Sequence, residues 1–252
     1  LTPADMHSRL AKQFARVEQK YPNPMSEQEI FSLIDRFQYV VPQGSPMSAI
    51  GNPYQIQSIS NCFVTQGVYS DKLDSYGGIM LADQELAQIM KRRGGCGQDI
   101  SGIRPKNSPT NNAAKTTDGI GVFMDRFSNT CREVAQNGRR GALMLTISIN
   151  HPEIETFINI KKDLKKVTGA NISIKLNNAF MNAVKNDEEY TLRWPVNASV
   201  EEAKITKVVK AKDIWNQIFH SAWFSAEPGL LFWDAVKANT PSDIYIEEGY
   251  ES

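Results

Sequence analysis

Two groups of residues in this chain have types and spacing suited to chemistry. The first is Gly138-Arg139-Arg140-Gly141, a glycine-bounded pair of arginines preceded by Gln136 and Asn137. Such a loop offers backbone amides and guanidinium forks to an anion or a base edge. The plainer alternative is a solvated turn with two surface arginines. The second is Cys62 in QSISNCFV, where alternation puts Ser58, Ser60, Cys62 and Val64 on one face of a strand. A strand cysteine is usually a small buried hydrophobe. Hydroxyl neighbours on its own face suit instead a thiol that does redox work. Gly94-Gly95-Cys96-Gly97 permits close backbone approach, but no Lys-Ser/Thr follows at P-loop spacing. Cys62, Cys96 and Cys131 are too few and too widely spaced for a zinc site or a disulfide scaffold, so no metal centre is expected.

The elements that would position these residues follow from caps and periodicity. Thr2-Pro3-Ala4-Asp5 and Ser26-Glu27-Gln28-Glu29 read as capping boxes that start helices over 3–20 and 27–38. This N-terminal helical unit, 1–41, carries no evident chemistry. Strands are expected over 57–64, 98–104, 142–150, 171–176 and 229–234, with helices over 75–93, 117–135, 152–165, 178–185 and 213–226. The stretch from 186 to 210 reads as a turn-rich excursion. Leu143, Leu145, Ile147 and Ile149 oppose a small or polar set, as Ile172, Ile174 and Leu176 oppose Asn171, Ser173 and Lys175. Five strands alternating with helices predict parallel connections. An aliphatic face opposite a polar one fits a barrel with a wet lumen, and five strands are too few to close it.

Composition narrows the classes. The 252 residues are 41% hydrophobic and 22% charged, enough for a real core. Net charge is zero, from 28 basic and 28 acidic residues, which argues against a broad nucleic-acid or membrane surface. No apolar run approaches the roughly 20 residues that span a bilayer. No signal peptide is recognised, and the default location is the cytoplasm. The chain opens on Leu1, so a trimmed start or a piece of something longer is expected.

The segments QGSPMSAIGN, SISNCFV, DKLDSYGGIM, KRRGGCGQDISGIRP, NTCREVAQNGRRGALMLTISINHPEIETFI and VTGANISIKL together resemble the large subunit of ribonucleotide reductases. The wording is nearest to the adenosylcobalamin-dependent, diphosphate-using class. The resemblance runs from LTPADMHSRLAKQFARVEQKY to LLFWD. It implies an α/β fold: N-terminal helices over 1–41, then over 42–252 the first five-stranded parallel half of a ten-stranded α/β barrel.

By the same resemblance, Cys62 matches the cysteine that reduces the substrate and enters a disulfide. Ser45, Ser60 and Asn61 match positions that hold the substrate diphosphate, and Gly95 matches a glycine against the substrate. Asp71, Lys72 and Leu73 match the start of the helix that binds the effector, a deoxynucleoside triphosphate or ATP. Arg104 and the 105–114 loop match the effector-phosphate side. Gln136, Asn137, Gly138, Arg139, Arg140 and Gly141 match the loop between effector and substrate bases. Asn61 departs from members that carry serine there.

The family's radical cysteine lies in an Asn-x-Cys-x-Glu motif that this sequence does not contain; Cys96 and Cys131 read as core cysteines. The resemblance therefore implies the N-terminal half of a ribonucleoside-diphosphate reductase, from a split enzyme or an excised fragment, inactive alone. The implied partners are a C-terminal half, a second copy through the helices around 75–93 and 117–135, a ribonucleoside diphosphate, and a thioredoxin- or glutaredoxin-like reductant. The implied cofactor is adenosylcobalamin, the alternative being a radical from a separate dimetal subunit. Two other readings stand beside this one: a nucleotide-binding regulatory module without catalysis, and an unrelated α/β interaction domain.

Overall fold

A computed structural model describes residues 2–65, 74–134 and 141–241. The N-terminal unit is α1 (Pro3–Glu18) and α2 (Glu27–Ile34), each started by the expected reciprocal cap, Thr2 with Asp5 and Ser26 with Glu29. The second helix stops at Ile34 and gives way to a 3-10 turn over Asp35–Phe37, because Arg36 turns to φ 52°. Leu10, Ala11, Ile30 and Ile34 form a small separate core. Met47 and Ile50 of a short third helix, α3 (Gly44–Ala49), pack on it. Arg9 donates to the Ile50 carbonyl and, at 2.5 Å, to the Met47 carbonyl. A cation at the C-terminal end of α3 suits the helix dipole, so the helical unit holds α3 in place.

The main body alternates strand and helix as expected: β1 (Cys62–Val64), α4 (Tyr76–Met90), β2 (Gly95–Asp99), α5 (Ile120–Glu133), β3 (Leu143–Ser148), α6 (Ile154–Asn159), β4 (Asn171–Leu176) and α7 (Asn178–Asn186). A hairpin of β5 (Glu189–Trp194) and β6 (Ile205–Lys210) follows, then α8 (Ala211–Ser225), β7 (Gly229–Phe232) and α9 (Trp233–Asn239). One sheet has the order β1-β2-β3-β4-β7, with every pair parallel. Strand order that follows the chain without reversing is the order of a barrel segment, not of a doubly wound sheet.

Three expectations are corrected. The second strand begins at Gly95, not Gln98, and ends at Asp99. Glycines are poor strand formers alone, but here β1 and β3 supply ladders on both sides, and residues 101–103 form a turn instead. The first strand is only Cys62–Val64, since Ser58 bonds to the Arg92 carbonyl rather than to a ladder. The supposed turn-rich excursion is the antiparallel β5–β6 hairpin, with Tyr190, Leu192 and Trp194 buried.

Register sorts the sheet into two faces. Phe63, Cys96 and Leu143 align on one face, as do Gln98, Leu145 and Ile172, and Ile147, Ile174 and Leu230. This face supplies the main core with α4, α5, α6 and α8. The opposite face carries Cys62 beside Gly95, then Asp99, Thr146, Ser173 and Gly229 in one row, then Ser148 and Lys175. Lys175 forms an ion pair with Asp99 across β3, and its ammonium lies 4.6 Å from the Trp233 ring centroid.

Candidate functional site

Cys62 is the exposed thiol of the three; Cys96 and Cys131 are buried, and all three are unpaired. Burial pushes the Cys96 thiol up to about 12, with the neighbouring cysteines adding to the rise. That keeps Cys96 protonated and poorly reactive. Cys131 is likewise raised by burial. Of the three, Cys62 alone lies on the wet face of the sheet and is open to attack or oxidation.

The residues expected around Cys62 converge there. The Gly95 amide donates to the Asn61 carbonyl at 2.6 Å, and Cys62 is in register with Gly95. The Asn61 side-chain carbonyl accepts the Ser45 amide at 2.8 Å. Asn61 thus ties α3 to the start of β1. This commits the Ser45 backbone donor, so the Ser45 hydroxyl and the Asn61 Nδ2 group are the donors left for an anion. Ser60 is exposed beside them, its amide bonded to the Ser58 hydroxyl at 3.0 Å. A Cβ on Gly95 would sit 3.3 Å from both the Ala142 Cβ and the Asn61 carbonyl oxygen. A side chain here would press β1 and β3 apart by a few tenths of an ångström, so glycine suits the close approach of the strands.

The other end of the sheet holds a cleft of about 430 Å³, walled by Asp74, Tyr76, Arg104, Thr110, Asn112 and Phe123 among others. The guanidinium of Arg104 makes a bidentate pair with Asp74, at 2.5 Å from Nε and 2.7 Å from Nη2, and donates to the Pro109 carbonyl. The hydrogen bond to Asp74 foremost, with the charge of that carboxylate, raises its pKa further against the opposing effect of burial. Tyr76 and Phe123 meet edge to face with centroids 6.0 Å apart. The cleft thus combines a fixed cation, an aromatic wall and amide side chains, the parts that bind an anionic ligand with a flat ring. Thr110 and Asn112 are held by bonds within the 109–116 loop.

The remaining sequence candidates divide simply. Asp71, Lys72 and Leu73, and Gln136, Asn137, Gly138, Arg139 and Arg140, lie outside the described residues. Gly141 is described: a Cβ there would sit 2.8 Å from the Met90 sulfur and 3.0 Å from the Cys131 sulfur. Sequence reasoning missed Asp74, Arg9 and the aromatic pair. Arg9 lies about 40 residues from the carbonyls it binds, so only the fold could reveal it. Among the described residues, no cluster of three or more His, Cys, Asp or Glu could hold a metal ion. No helix among them is long and apolar enough to cross a membrane.

The sheet is parallel and unreversed, the order of a barrel segment, with an open thiol at one end and a cleft holding Arg104 at the other. The family model of the ribonucleotide reductase barrel domain matches residues 60–246, and the chain belongs to that family. It is 32% identical over 216 residues to the vitamin B12-dependent ribonucleoside-diphosphate reductase of Thermoplasma acidophilum, covering 85% of this chain and 26% of that protein. It is 26% identical over 170 residues to the enzyme of the same name from Mycobacterium tuberculosis, covering 67% and 24%. It is 28% identical over 200 residues to the ribonucleoside-diphosphate reductase large subunit of Arabidopsis thaliana, covering 70% and 24%. The chain spans about a quarter of the length of these relatives.

Proposed function

We propose that this chain is the N-terminal part of the catalytic subunit of a ribonucleoside-diphosphate reductase, with Cys62 as one of two reducing thiols. The carrying observation is that Cys62 is the open thiol, set beside Gly95 and the Asn61–Ser45 contact. In the proposed step the substrate loses its 2′ hydroxyl as water and gains a hydrogen. Two thiols give up two electrons and two protons, and one S–S bond forms. The partner thiol is neither Cys96 nor Cys131, because both are buried in the core. A thioredoxin- or glutaredoxin-like dithiol reduces the disulfide again. Such chemistry fits a reducing compartment, the cytoplasm.

Adenosylcobalamin, named through the relatives' dependence on vitamin B12, supplies the initiating radical when bound. The described residues do not compose its seat: the cleft is walled by Tyr76 and Phe123 and lies at the Arg104 end of the sheet, away from Cys62. Ser45, Ser60 and Asn61 are assigned to the substrate diphosphate, and Gly95 to the backbone that lies against the substrate. The Arg104 cleft, with Asp71, Lys72 and Leu73 next to it in the chain, is assigned to an effector deoxynucleoside triphosphate or ATP. The 136–141 loop is assigned to the choice of base. Exposed Tyr76, Leu81 and Val122 on α4 and α5 support self-association through those helices.

The test uses the complete protein with a ribonucleoside diphosphate, adenosylcobalamin and a dithiol. Cys62→Ser is expected to lower multiple turnover by more than about 100-fold while substrate binding persists, because one electron donor of the pair is gone. Turnover of Cys62→Ser at the wild-type rate would refute the assignment.

A further inference from the structure

The β5–β6 hairpin reaches the cleft. Arg104 lies with its guanidinium carbon 5.9 Å from the Trp194 ring centroid, and the Lys204 ammonium lies 5.7 Å from the same ring. Trp194 is 6% exposed and closes the hairpin's first strand. Its carbonyl accepts the Lys204 amide at 2.9 Å, and Trp194 is in register with Ile205. The hairpin is anchored to the main body near this point: the Arg193 amide donates to the Asn150 carbonyl at 2.6 Å, and Asn150 Nδ2 donates to the Val196 carbonyl at 3.0 Å. Tyr190 donates to Asn150 Oδ1 at 2.6 Å. The backbone on both sides of Trp194 is thus anchored to the main body.

A guanidinium in a cleft wall needs a defined plane to present its edge to an anion. The Asp74 carboxylate takes Nε and Nη2, the Asp74 carbonyl takes Nη2 again at 3.4 Å and the Pro109 carbonyl takes Nη1, so the plane is fixed and a second Nη1 hydrogen is what the guanidinium can offer an anion. An aromatic face near the cation adds an attraction that none of those bonds provides. We propose that Trp194 is a positioning residue of the anion cleft, holding the Arg104 guanidinium in the orientation that an incoming triphosphate meets. This rests on the reading of the Arg104 cleft as the effector site. The assignment explains why a hairpin outside the main sheet ends in a buried tryptophan at this spot.

The experiment measures dTTP binding to the complete protein by calorimetry, for wild type, Trp194→Leu, Trp194→Phe, Arg104→Ala and the Arg104→Ala/Trp194→Leu double variant. Trp194→Leu is expected to weaken dTTP about three- to ten-fold, because a guanidinium released from the ring has to be ordered again when the triphosphate binds. Trp194→Phe is expected to recover most of that loss. In the Arg104→Ala background Trp194→Leu is expected to change affinity less than two-fold, because the group it positions is gone. A merely structural tryptophan would give the same loss in both backgrounds, and that outcome would overturn the proposal. So would a Trp194→Leu affinity equal to wild type. Failure of the wild-type protein to bind any deoxynucleoside triphosphate would instead overturn the reading of the cleft. Thermal melts of each variant separate folding defects from binding ones.

Discussion

Removing the carboxylate of Asp99 should expose how the wet face of the sheet is held together. Asp99 and Lys175 have side chains 7% and 13% exposed and pair across β3. Asp99 also accepts the Ser101 amide at 3.0 Å and the Ser101 hydroxyl. That hydroxyl in turn accepts the Ser148 amide at 2.7 Å. The network therefore joins β2, β3 and β4 on the face that carries Cys62. Breaking a buried pair by deleting one partner costs about 3–5 kcal/mol. In Asp99→Ala the lysine keeps the Trp233 face, worth about 1 kcal/mol, while Ser101 loses an acceptor of about equal worth. The two corrections offset, so a loss of about 3–5 kcal/mol is expected, or roughly 6–20 °C in Tm for a chain of this size. Asp99→Ala/Lys175→Met leaves no buried charge and should lie within about 1.5 kcal/mol of wild type. Urea unfolding followed by far-UV circular dichroism reads both, the midpoints shifting at constant m. A single-variant loss under about 1 kcal/mol, or no recovery in the double variant, would show that the pair is solvated and not a strut.

Two further outcomes follow from the geometry. Arg104→Ala should weaken triphosphate binding by about 1.5–3 kcal/mol, the size of a charge-assisted hydrogen bond, and unchanged dTTP affinity by calorimetry would remove Arg104 from the site. His151 is fully buried, donates through Nε2 to the Ile103 carbonyl at 2.8 Å, and accepts the Glu153 amide at 3.1 Å. Burial lowers its pKa from 6.5 to about 4 against the opposing pull of that carbonyl and of Asp99. The unfolded chain therefore binds the extra proton first: this contribution is complete above pH 6.5 and lost as pH falls to about 4. Its size is about 3 kcal/mol. Urea midpoints across that range should fall less steeply for His151→Gln; parallel slopes would contradict it.

Much of this architecture was legible because the local rules agreed with the fold. Both capping boxes formed, and Leu143, Leu145, Ile147, Ile172, Ile174 and Leu176 are buried as their alternation implied. The failures have different causes. Gly95 and Gly97 carry no side-chain pattern, so a central strand made of them is invisible until its neighbours are known. The hairpin did carry a signal, since Tyr190, Leu192 and Trp194 alternate with Glu189, Thr191 and Arg193, but the turn-forming residues around it masked the period. The convergence of Ser45, Asn61, Cys62 and Gly95 was implied only by resemblance. Spacing alone could not reveal that the Asn61 side chain bonds the Ser45 backbone.

The two ends of the sheet are joined by α4 and α5. Tyr76 and Ile79 of α4, with Phe123 of α5, wall the cleft. At their far ends Met90 and Cys131 crowd Gly141, and the next residue, Ala142, touches Gly95 beside Cys62. Midway, the buried Asp83 of α4 accepts the Thr130 hydroxyl at 2.6 Å and pairs with Arg126 at 2.8 Å, both on α5. The 14 residues of α5 span about 20 Å, so a displacement at its cleft end is delivered to its other end rather than absorbed. Gly141, the first described residue after α5 and Val134, would place a Cβ 2.8 Å from the Met90 sulfur and 3.0 Å from the Cys131 sulfur. A ligand that favours one seating of α5 in the cleft would bias the packing of Met90 and Cys131 against Gly141 by the difference in binding energy between the two seatings, and by no more. Choice of substrate by effector, as proposed, therefore needs no contact between the two ligands. It needs two packings of α4 and α5 around Asp83 that differ in free energy by a few kcal/mol.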